Sequence, residues 1–300
     1  GSSSLPPVIE NCSFTNNSHT ANNGISGSAI YFNGTDATIS KSTFSGNSSV
    51  HSLGSVINPY GNILIDKCQF SNNSIPYIIN LNDNKTLTIT NTLFNDNASI
   101  ALSNGNGIIN ISNSSFSNNS TALRLNATNG NTLYNSIVWN NTTNIQSFNG
   151  IADTNIIQGG YSNGTNILDT NPLFVDVPNQ DYRLQNTSPA IGAGNNSYNN
   201  SLRDLDNNLR LNGSNIDLGP YENGSSECPT FNNNVLYVNA NNTSTYQDGS
   251  SWAYAFSSLQ NALDMYNSNC GATAQEVWVA QGIYYPDDGN NQIAGNRDES

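Results

Sequence analysis

The first half of the chain repeats one spacing of apolar and polar positions six times: an apolar residue is followed three positions later by Asn. Successive leading residues are 30, 26, 24, 22 and 22 positions apart. A repeat of about 20–30 residues indicates one supersecondary unit that stacks on copies of itself. The leading residues are Phe14, Phe44, Phe70, Phe94, Phe116 and Val138, and the matching amides are Asn17, Asn47, Asn73, Asn97, Asn119 and Asn141.

Two further positions recur within each unit. Five residues before the leading position the chain carries Ile9, Ile39, Ile65, Ile89, Ile111 and Leu133. Two residues before it the chain carries Cys12, Ser42, Cys68, Thr92, Ser114 and Ser136. The small residue and the leading residue have the same parity and point to one side of a strand, whereas the aliphatic residue has the opposite parity. A bend must therefore separate the two if both face inward.

Short β-branched strands with Asn, Gly and Ser between them predict one coil of a parallel β-helix for each unit. The segments between units lack the helical spacing that a βαβ crossover needs. We therefore predict an all-β solenoid, a right-handed parallel β-helix of the pectin-lyase-like kind. Equivalent residues then lie about 4.8 Å apart, so the Phe residues form an internal ladder. The Asn residues form a hydrogen-bonded ladder at a turn, which suits Asn because it tolerates the left-handed conformation and bonds neighbouring backbone through its amide.

The same geometry predicts which of the four cysteines are free and which form a disulfide. Cys12 and Cys68 hold one position two coils apart, roughly 9–10 Å, which exceeds the ~7 Å Cα separation that a disulfide spans. We predict that both are free, buried thiols. Cys228 and Cys270 lie outside the repeat and form the plausible bridge, which an oxidising, extracellular setting allows.

Composition and charge limit the kinds of partner that the chain can bind. The chain has 8 Lys and Arg against 21 Asp and Glu, a formal net charge of −13. So few cations argue against nucleic acid, whose phosphates need Lys and Arg, and against an anionic membrane surface. The sequence also lacks an apolar run near the ~18–20 residues of a membrane span. Asn makes up about a fifth of the chain, far above its usual share, as on a turn-rich extracellular β protein.

A different pattern begins near residue 235. Residues 236–239 and 276–280 are predicted strands, and one short capping α-helix is predicted near residues 257–267. Ser257 and Gln260 match a capping box at its start, and the apolar face comprises Leu259, Ala262, Leu263 and Tyr266. We predict coils over residues 1–168, a C-terminal closing region over 169–226, a linker over 227–235, and the N-terminal cap and first coil of a following, incomplete β-helix module over 236–300.

The repeat resembles a known family. The F-x-x-N units, together with Gly27-Ser28-Ala29-Ile30 as a near match to a G-G-A-I element, are similar to the repeats of polymorphic outer-membrane proteins. The resemblance implies surface β-helices that are associated with adhesion.

A second resemblance covers about residues 156–222. The series Asp169-Thr170-Asn171-Pro172-Leu173-Phe174, Ser188-Pro189-Ala190-Ile191-Gly192-Ala193-Gly194 and Ile216-Asp217-Leu218-Gly219-Pro220-Tyr221-Glu222 resembles the C-terminal region of bacterial surface β-helix proteins labelled choice-of-anchor Q. It implies secreted, cell-surface repeat proteins, many from bacteria that use type IX secretion. This chain has Asn171 and Gly192 where the family often has Asp, and Pro220 where it often has Ala, which weakens any inference of metal binding.

Residues able to act as catalysts are few. A polysaccharide lyase needs a base, and Lys41, Lys67, Lys85 and Arg124 fall on different coils without a shared phase. A glycosidase needs two carboxylates about 5–9.5 Å apart, and only Glu10 and Asp66 hold similar phases, two coils apart.

One loop suggests a metal. Asp204, Asp206 and Asn208 offer oxygens at the 1-3-5 spacing of a calcium loop. The loop departs from that pattern at position six, Leu209, and at position twelve, Asn215. We predict no cofactor apart from calcium at this loop.

The function expected from the sequence is a non-catalytic extracellular surface or fibre segment, structural or adhesive, built from tandem β-helix modules. Its expected partners are neighbouring modules or copies of the same protein, and surface glycans. The expected location is the bacterial cell surface. The alternative is a carbohydrate-active β-helix, a polysaccharide lyase, a glycoside hydrolase or a glycan-binding module.

Overall fold

The structure is a computed structural model of the chain, and it describes residues 6–20, 27–34, 36–50, 54–81, 84–98, 100–104, 107–124, 130–224, 228–244, 247–267 and 274–284. The chain divides into two compact units. The first comprises Gly1–Asn199 and Gly213–Asn223, and the second comprises Asn200–Asn212 and Gly224–Ser300. Residues 200–212 thus group with the second unit, although the sequence suggested a place for them in the closing region.

The first unit is built from short strands. In chain order they are β1 (Val8–Glu10), β2 (Ser13–Thr15), β3 (Ser18–His19), β4 (Gly27–Phe32), β5 (Ala37–Ser40), β6 (Thr43–Ser45), β7 (Ser48–Ser49), β8 (Ser55–Pro59), β9 (Ile63–Asp66), β10 (Gln69–Ser71), β11 (Tyr77–Leu81), β12 (Thr86–Thr90), β13 (Leu93–Asn95), β14 (Ile100–Asn104), β15 (Ile108–Ser112), β16 (Ser115–Ser117), β17 (Thr121–Arg124), β18 (Asn131–Tyr134), β19 (Ile137–Trp139), β20 (Thr143–Ser147), β21 (Gly150–Ile157), β22 (Thr165–Leu168), β23 (Phe174–Asp176) and β24 (Asp181–Leu184).

Equivalent strands of successive coils pair in parallel and form three faces of a right-handed parallel β-helix. Face A contains β1, β5, β9, β12, β15 and β18, face B contains β2, β6, β10, β13, β16 and β19, and face C contains β4, β8, β11, β14, β17 and β20. The long strand β21 joins faces A and B, because its first half pairs with β18 and its second half with β19. The architecture predicted from the repeat is confirmed.

The bend between faces A and B lies where parity requires it. The residue three before each leading position has positive φ, as at Lys41 (φ 47°) and Asn113 (φ 48°). A second positive φ occurs one residue before each ladder Asn, as at Gly46 (φ 65°) and Asn72 (φ 54°). The ladder Asn residues themselves do not have positive φ, so the expected left-handed conformation was wrong, whereas the expected bonding of the amide to neighbouring backbone is confirmed. The preceding residue makes the turn, and the ladder Asn is required for its side-chain amide.

The leading residues form one continuous stack inside the tube. Adjacent Phe rings from Phe14 to Phe116 have centroids 4.6–4.9 Å apart and planes within 5° of each other. The backbone register continues the column from Phe116 to Val138 and then to Ile157. The ladder has the members that the repeat predicts, and burial of these rings supplies much of the apolar area that stabilises the coils.

The interior ladder amides, from Asn47 to Asn119, are fully hydrogen-bonded to neighbouring coils. Asn97 Nδ2 donates to Asn119 Oδ1 at 2.9 Å and to the carbonyl oxygen of Phe70 at 3.0 Å. Asn97 Oδ1 accepts from Nδ2 and from the backbone N–H of Asn73, at 2.9 and 3.1 Å. The same side-chain contact links the members in the order Asn17, Asn47, Asn73, Asn97, Asn119 and Asn141.

The small residues beside the bend form another polar column. Thr92 Oγ1 donates to the carbonyl of Thr90 at 2.8 Å, and it accepts from the backbone N–H of Cys68 at 3.3 Å. Cys68 is buried and free, as predicted, but Cys12 is exposed although we predicted that it is buried. Cys12 lies on the first described coil, so it has a neighbouring coil on one side, at Ser42.

The two free thiols should therefore differ in reactivity. Burial, as the main cause, raises the pKa of the Cys68 thiol to about 12, so the reactive thiolate is scarce at neutral pH. We expect a thiol reagent to modify Cys12 in the folded protein and Cys68 only after unfolding. The measurement is mass spectrometry of labelled peptides with and without urea. Cys12→Ser is the control, and labelling of Cys68 in this folded variant would contradict the prediction.

The last part of the first unit lies against the outer side of face B. The strands β23 and β24 form an antiparallel hairpin, and 3-10 turns occur at Val177–Asn179 and Asn196–Tyr198. The backbone N–H of Gly219 donates to the carbonyl of Asn135 at 2.8 Å. A Cβ at Gly219 would lie 2.9 Å from the side chains of Ser115 and Ile137, so glycine is required there. Residues 173–199 and 213–223 of the first unit thus line the wall of the later coils.

The second unit has a small α/β core. It contains parallel strands β25 (Val235–Val238) and β26 (Glu276–Val279), helix α1 (Leu259–Asn267), and 3-10 turns at Asn232–Asn234 and Trp252–Tyr254. Its buried cluster comprises Leu209, Phe231, Leu236, Val238, Phe256, Ala262, Met265 and Ala274.

The helix was predicted in place, but its details differ. Ser258, rather than Ser257, accepts from a backbone N–H of the first turn, that of Asn261 at 3.3 Å. Ser257 instead hydrogen-bonds Gln247 through both its N–H and its hydroxyl. Leu263 and Tyr266 are exposed. Met265, absent from the predicted face, is buried because the helix meets its neighbours along the side that contains Ala262.

Candidate functional site

The recurring residues of the repeat are structural. The interior ladder amides, from Asn47 to Asn119, use both donor hydrogens and their acceptor oxygen on neighbouring coils, as Asn97 does. The Asn residues from Asn47 to Asn119 are also buried. A side chain whose hydrogen-bonding capacity is satisfied inside the tube has none left for a ligand. Any functional site therefore lies on the outer walls or in the second unit.

A row of charges follows the bend between faces A and B. Lys41 Nζ lies 2.9 Å from Glu10 Oε1, and both side chains are partly exposed. Lys41 and Lys67 occupy equivalent positions on consecutive coils, which corrects the view that the bases share no phase. The match arises because both precede their leading Phe by three residues.

Asp66 is the most perturbed carboxylate of this row. Burial raises its pKa, while the charges of Lys67 and Lys41 and a hydrogen bond from Asn91 act in the opposite direction. Ser40 lies between Glu10 and Asp66 in the backbone register. The two Cα positions are therefore about 9.6 Å apart, close to the upper end of the range for an inverting glycosidase. However, Glu10 is already paired with Lys41 on the intervening coil.

Asp96 binds the last part of the first unit, residues 173–199 and 213–223, which lies against face B and which we call the covering segment. Tyr182 is buried, and its hydroxyl donates to Asp96 Oδ2 at 3.1 Å. Asn95 and Asn118 also donate to the Asp96 carboxylate, at 2.8 and 3.1 Å. On coils one and two the outward residues Ser13, Thr15 and Thr43 are exposed. The covering segment therefore divides face B into a covered and an open part.

Removing the Tyr182 hydroxyl should destabilise the folded protein, because its hydrogen bond to Asp96 is lost. We expect Tyr182→Phe to lower the free energy of unfolding by about 1–1.5 kcal/mol, the usual net worth of one hydrogen bond. Burial, followed by the charge of Asp96, raises the pKa of Tyr182 above its ordinary value. The neutral hydroxyl therefore makes its full contribution to the free energy of unfolding below about pH 10, the pKa of tyrosine in the unfolded chain. That contribution is lost as the pH rises through the higher pKa of Tyr182 in the folded protein.

Urea unfolding at pH 7 and alkaline difference spectra of the variant and the parent protein measure both effects. Tyr60→Phe, on an early coil outside the covered wall, is the control. Ionisation of Tyr182 together with exposed tyrosines would contradict the assignment.

The loop predicted to bind calcium is organised by its own hydrogen bonds. Asp204 is buried, and its Oδ1 accepts from the backbone N–H of Asn208 at 2.7 Å. The Asn208 amide nitrogen lies 3.4 Å from the other Asp204 oxygen, so Asn208 directs a donor at the carboxylate. Asp206 is exposed. Both Asp204 oxygens thus accept hydrogen bonds within the loop, and calcium binding stays a prediction. Within the described ranges, no three His, Cys, Asp or Glu side chains come together as metal ligands.

One of the two cysteines of the predicted disulfide lies among the described residues. Cys228 is disulfide-bonded, and its predicted partner Cys270 lies outside the described residues.

The aromatic residues fall into two environments. In the first unit Tyr134 stacks on Tyr198, with centroids 3.9 Å apart and planes within 7°, so its ring is used in packing. In the second unit Tyr237, Trp252 and Trp278 form a contiguous cluster, which we call the aromatic patch. Sequence reasoning missed it because the three residues are far apart in sequence. The pairing of β25 with β26 and the turn at Gly249 bring them together.

The match to known proteins agrees with the fold. Residues 1–138 match the family model described as the right-handed beta helix region. A search of curated proteins and a search of solved structures each returned no match. Together with the three parallel faces, the family match shows that the fold is a right-handed parallel β-helix. None of the helices in the described part of the chain combines the length and apolar character that crossing a bilayer requires.

Proposed function

We propose that the protein is a non-catalytic extracellular surface or fibre segment, structural or adhesive in role. The observation that carries this proposal is that the recurring Phe and Asn side chains pack and hydrogen-bond inside the tube. The Phe stack and the Asn ladder pass through coil after coil without interruption. Such a repeat provides a rigid wall whose variable loops and outward residues are available to partners.

Several other observations support an extracellular role. The disulfide at Cys228 is typical of an oxidising compartment. The excess of acidic residues keeps a surface protein soluble and disfavours polyanionic partners. The resemblances to choice-of-anchor Q proteins and to polymorphic outer-membrane proteins favour a bacterial cell surface, adhesion and type IX secretion. Neighbouring modules or copies of this protein are then the expected structural partners.

A carbohydrate-active enzyme is the second candidate, and Asp66 is the observation that favours it. A carboxyl group whose pKa is raised by burial beside two Lys residues is the kind of group that general acid catalysis uses. Against it, Glu10 is ion-paired with Lys41. The row of charges fits a solvent-exposed stack of bends equally well.

Two measurements test the proposal. Antibodies against the first unit should label intact cells of the native host, and brief protease treatment of those cells should remove the signal. The purified chain, incubated with polygalacturonate or a neutral glucan, should release neither unsaturated nor new reducing ends. The proposal fails if such ends appear and Asp66→Asn abolishes them, or if the protein is detected only after the cells are permeabilised.

A further inference from the structure

The aromatic patch exposes two indole rings around a buried phenol. The Tyr237 ring centroid lies 4.8 Å from that of Trp252 and 5.9 Å from that of Trp278, with planes tilted by 62° and 74°. Tyr237 is 7% exposed, whereas Trp252 and Trp278 are 46% and 48% exposed. The phenol therefore forms the floor of the patch, and each indole keeps about half of its surface in solvent.

The backbone holds the patch in place. Tyr237 and Trp278 are directly paired residues of β25 and β26. The N–H of Tyr237 donates to the carbonyl of Gly249 at 2.9 Å, and the N–H of Gly249 donates to the carbonyl of Tyr254 at 2.9 Å. Gly249 has φ 75°, and a Cβ there would lie 2.8 Å from the Phe256 ring. The turn that bears Trp252 is thus fixed to the strand that bears Tyr237.

Exposed apolar patches on a protein surface are often functional, so the aromatic patch is a candidate binding site. Aromatic side chains bury about 150–250 Å² each, so two half-exposed indoles present on the order of 250 Å². A stable protein interface needs about 800 Å² from each partner. The patch is therefore small for a protein partner and of a suitable size for a few sugar rings.

The chemistry of the patch fits a neutral carbohydrate. The electron-rich faces of aromatic rings attract the polarised C–H groups on one face of a pyranose. The Trp278 indole N–H donates to Glu276 Oε2 at 2.6 Å, so a carboxylate able to accept from sugar hydroxyls lies beside the ring. This negative charge and the net charge of −13 disfavour anionic glycans. The two indole centroids are at most about 11 Å apart, so one short run of sugar rings can reach both indoles.

We propose that Tyr237, Trp252 and Trp278 form a binding site for a neutral hexose polysaccharide, with the indoles stacking on sugar rings and Glu276 accepting from a hydroxyl. This inference rests on the proposed adhesive function and names a ligand class for it. The site contains no reacting group of its own, so it retains a glycan without cleaving it.

Affinity electrophoresis of the full chain through gels containing a soluble β-glucan, a mannan or polygalacturonate tests the site. We expect at least one neutral polymer to retard the parent protein and polygalacturonate not to do so. Trp252→Ala and Trp278→Ala should each weaken retention by at least about tenfold, as loss of a central aromatic contact does. Trp278→Phe should retain most of the binding. Tyr31→Ala, which removes an exposed ring of the first unit, is the matched control and should bind like the parent.

Two results would overturn the inference. The first is that the glycan site is not used: the parent protein has unchanged mobility in both neutral gels, or its retention survives both Trp→Ala substitutions while circular dichroism shows all variants folded. The other is a concentration-dependent dimer in sedimentation velocity that the same substitutions abolish, which would assign the patch to a protein partner. Either result leaves the surface role standing, whereas release of sugar fragments that Asp66→Asn abolishes would refute the proposed function itself.

Discussion

Replacing Asn97 with Ala should lower the free energy of unfolding by about 3–5 kcal/mol. The substitution removes two acceptor contacts to Asn73 and two donor contacts, to Asn119 and to the carbonyl of Phe70. These groups are buried, so each loses its partner without gaining water, and an unpaired buried polar group costs about 1–3 kcal/mol. Urea unfolding followed by far-ultraviolet circular dichroism measures the loss.

Asn72→Gly is the matched control for the ladder. Asn72 immediately precedes Asn73, is exposed, and has φ 54°. Gly46 holds the equivalent place on the preceding coil with φ 65°, so we expect the substitution to change stability by less than about 1 kcal/mol. If Asn97→Ala and Asn72→Gly had equal effects, the ladder would not be the element that stabilises the turn.

Replacing Phe70 with Ala should cost a similar amount, about 3–5 kcal/mol, because it opens a cavity inside the tube. Phe70 is fully buried, and its ring lies 4.6 Å from that of Phe44 and 4.9 Å from that of Phe94. Both neighbours belong to other coils, so the stack cannot close without moving backbone that is hydrogen-bonded on both sides. The loss is measured by the same urea unfolding.

Phe70→Leu separates volume from aromatic stacking. A branched aliphatic side chain is compatible with this column, because Val138 and Ile157 continue it. We expect the Leu variant to lose less than half of what the Ala variant loses, since it refills most of the cavity. An Ala variant as stable as the parent protein would mean that the rings do not support one another.

The sequence predicted the tube well because its signals are local and repeated. One spacing, from Ile39 through Ser42 and Phe44 to Asn47, recurs with a parity that forces a bend, and the bend occurs at Lys41. The burial of Cys12 was predicted wrongly, because the repeat describes an average coil and not the first one.

The outer contacts were less predictable because they join distant segments. Nothing near Asp96 in sequence indicates that Tyr182 donates to it, 86 residues away. The aromatic patch likewise depends on the pairing of β25 with β26 across the helix between them. At Asp204 the 1-3-5 spacing was read as a metal loop, although the same residues can form a hydrogen-bonded turn. Spacing alone does not distinguish these two uses of a carboxylate.

The Asn column has a further consequence, which is electrical. The bonds between successive ladder amides all run from Nδ2 on one coil to Oδ1 on the following coil, so the carbonyl dipoles of the amides point the same way along the axis. As in an α-helix, aligned dipoles place partial charges of opposite sign at the two ends, here oxygen at Asn17 and hydrogen at Asn141. The hydrogen end is neutralised within the fold, because Asn141 donates to Asn144 and Asn144 donates to the carbonyl of Gln158. A coil added in the reverse direction would set oxygen against oxygen, so the column permits extension in one polarity alone.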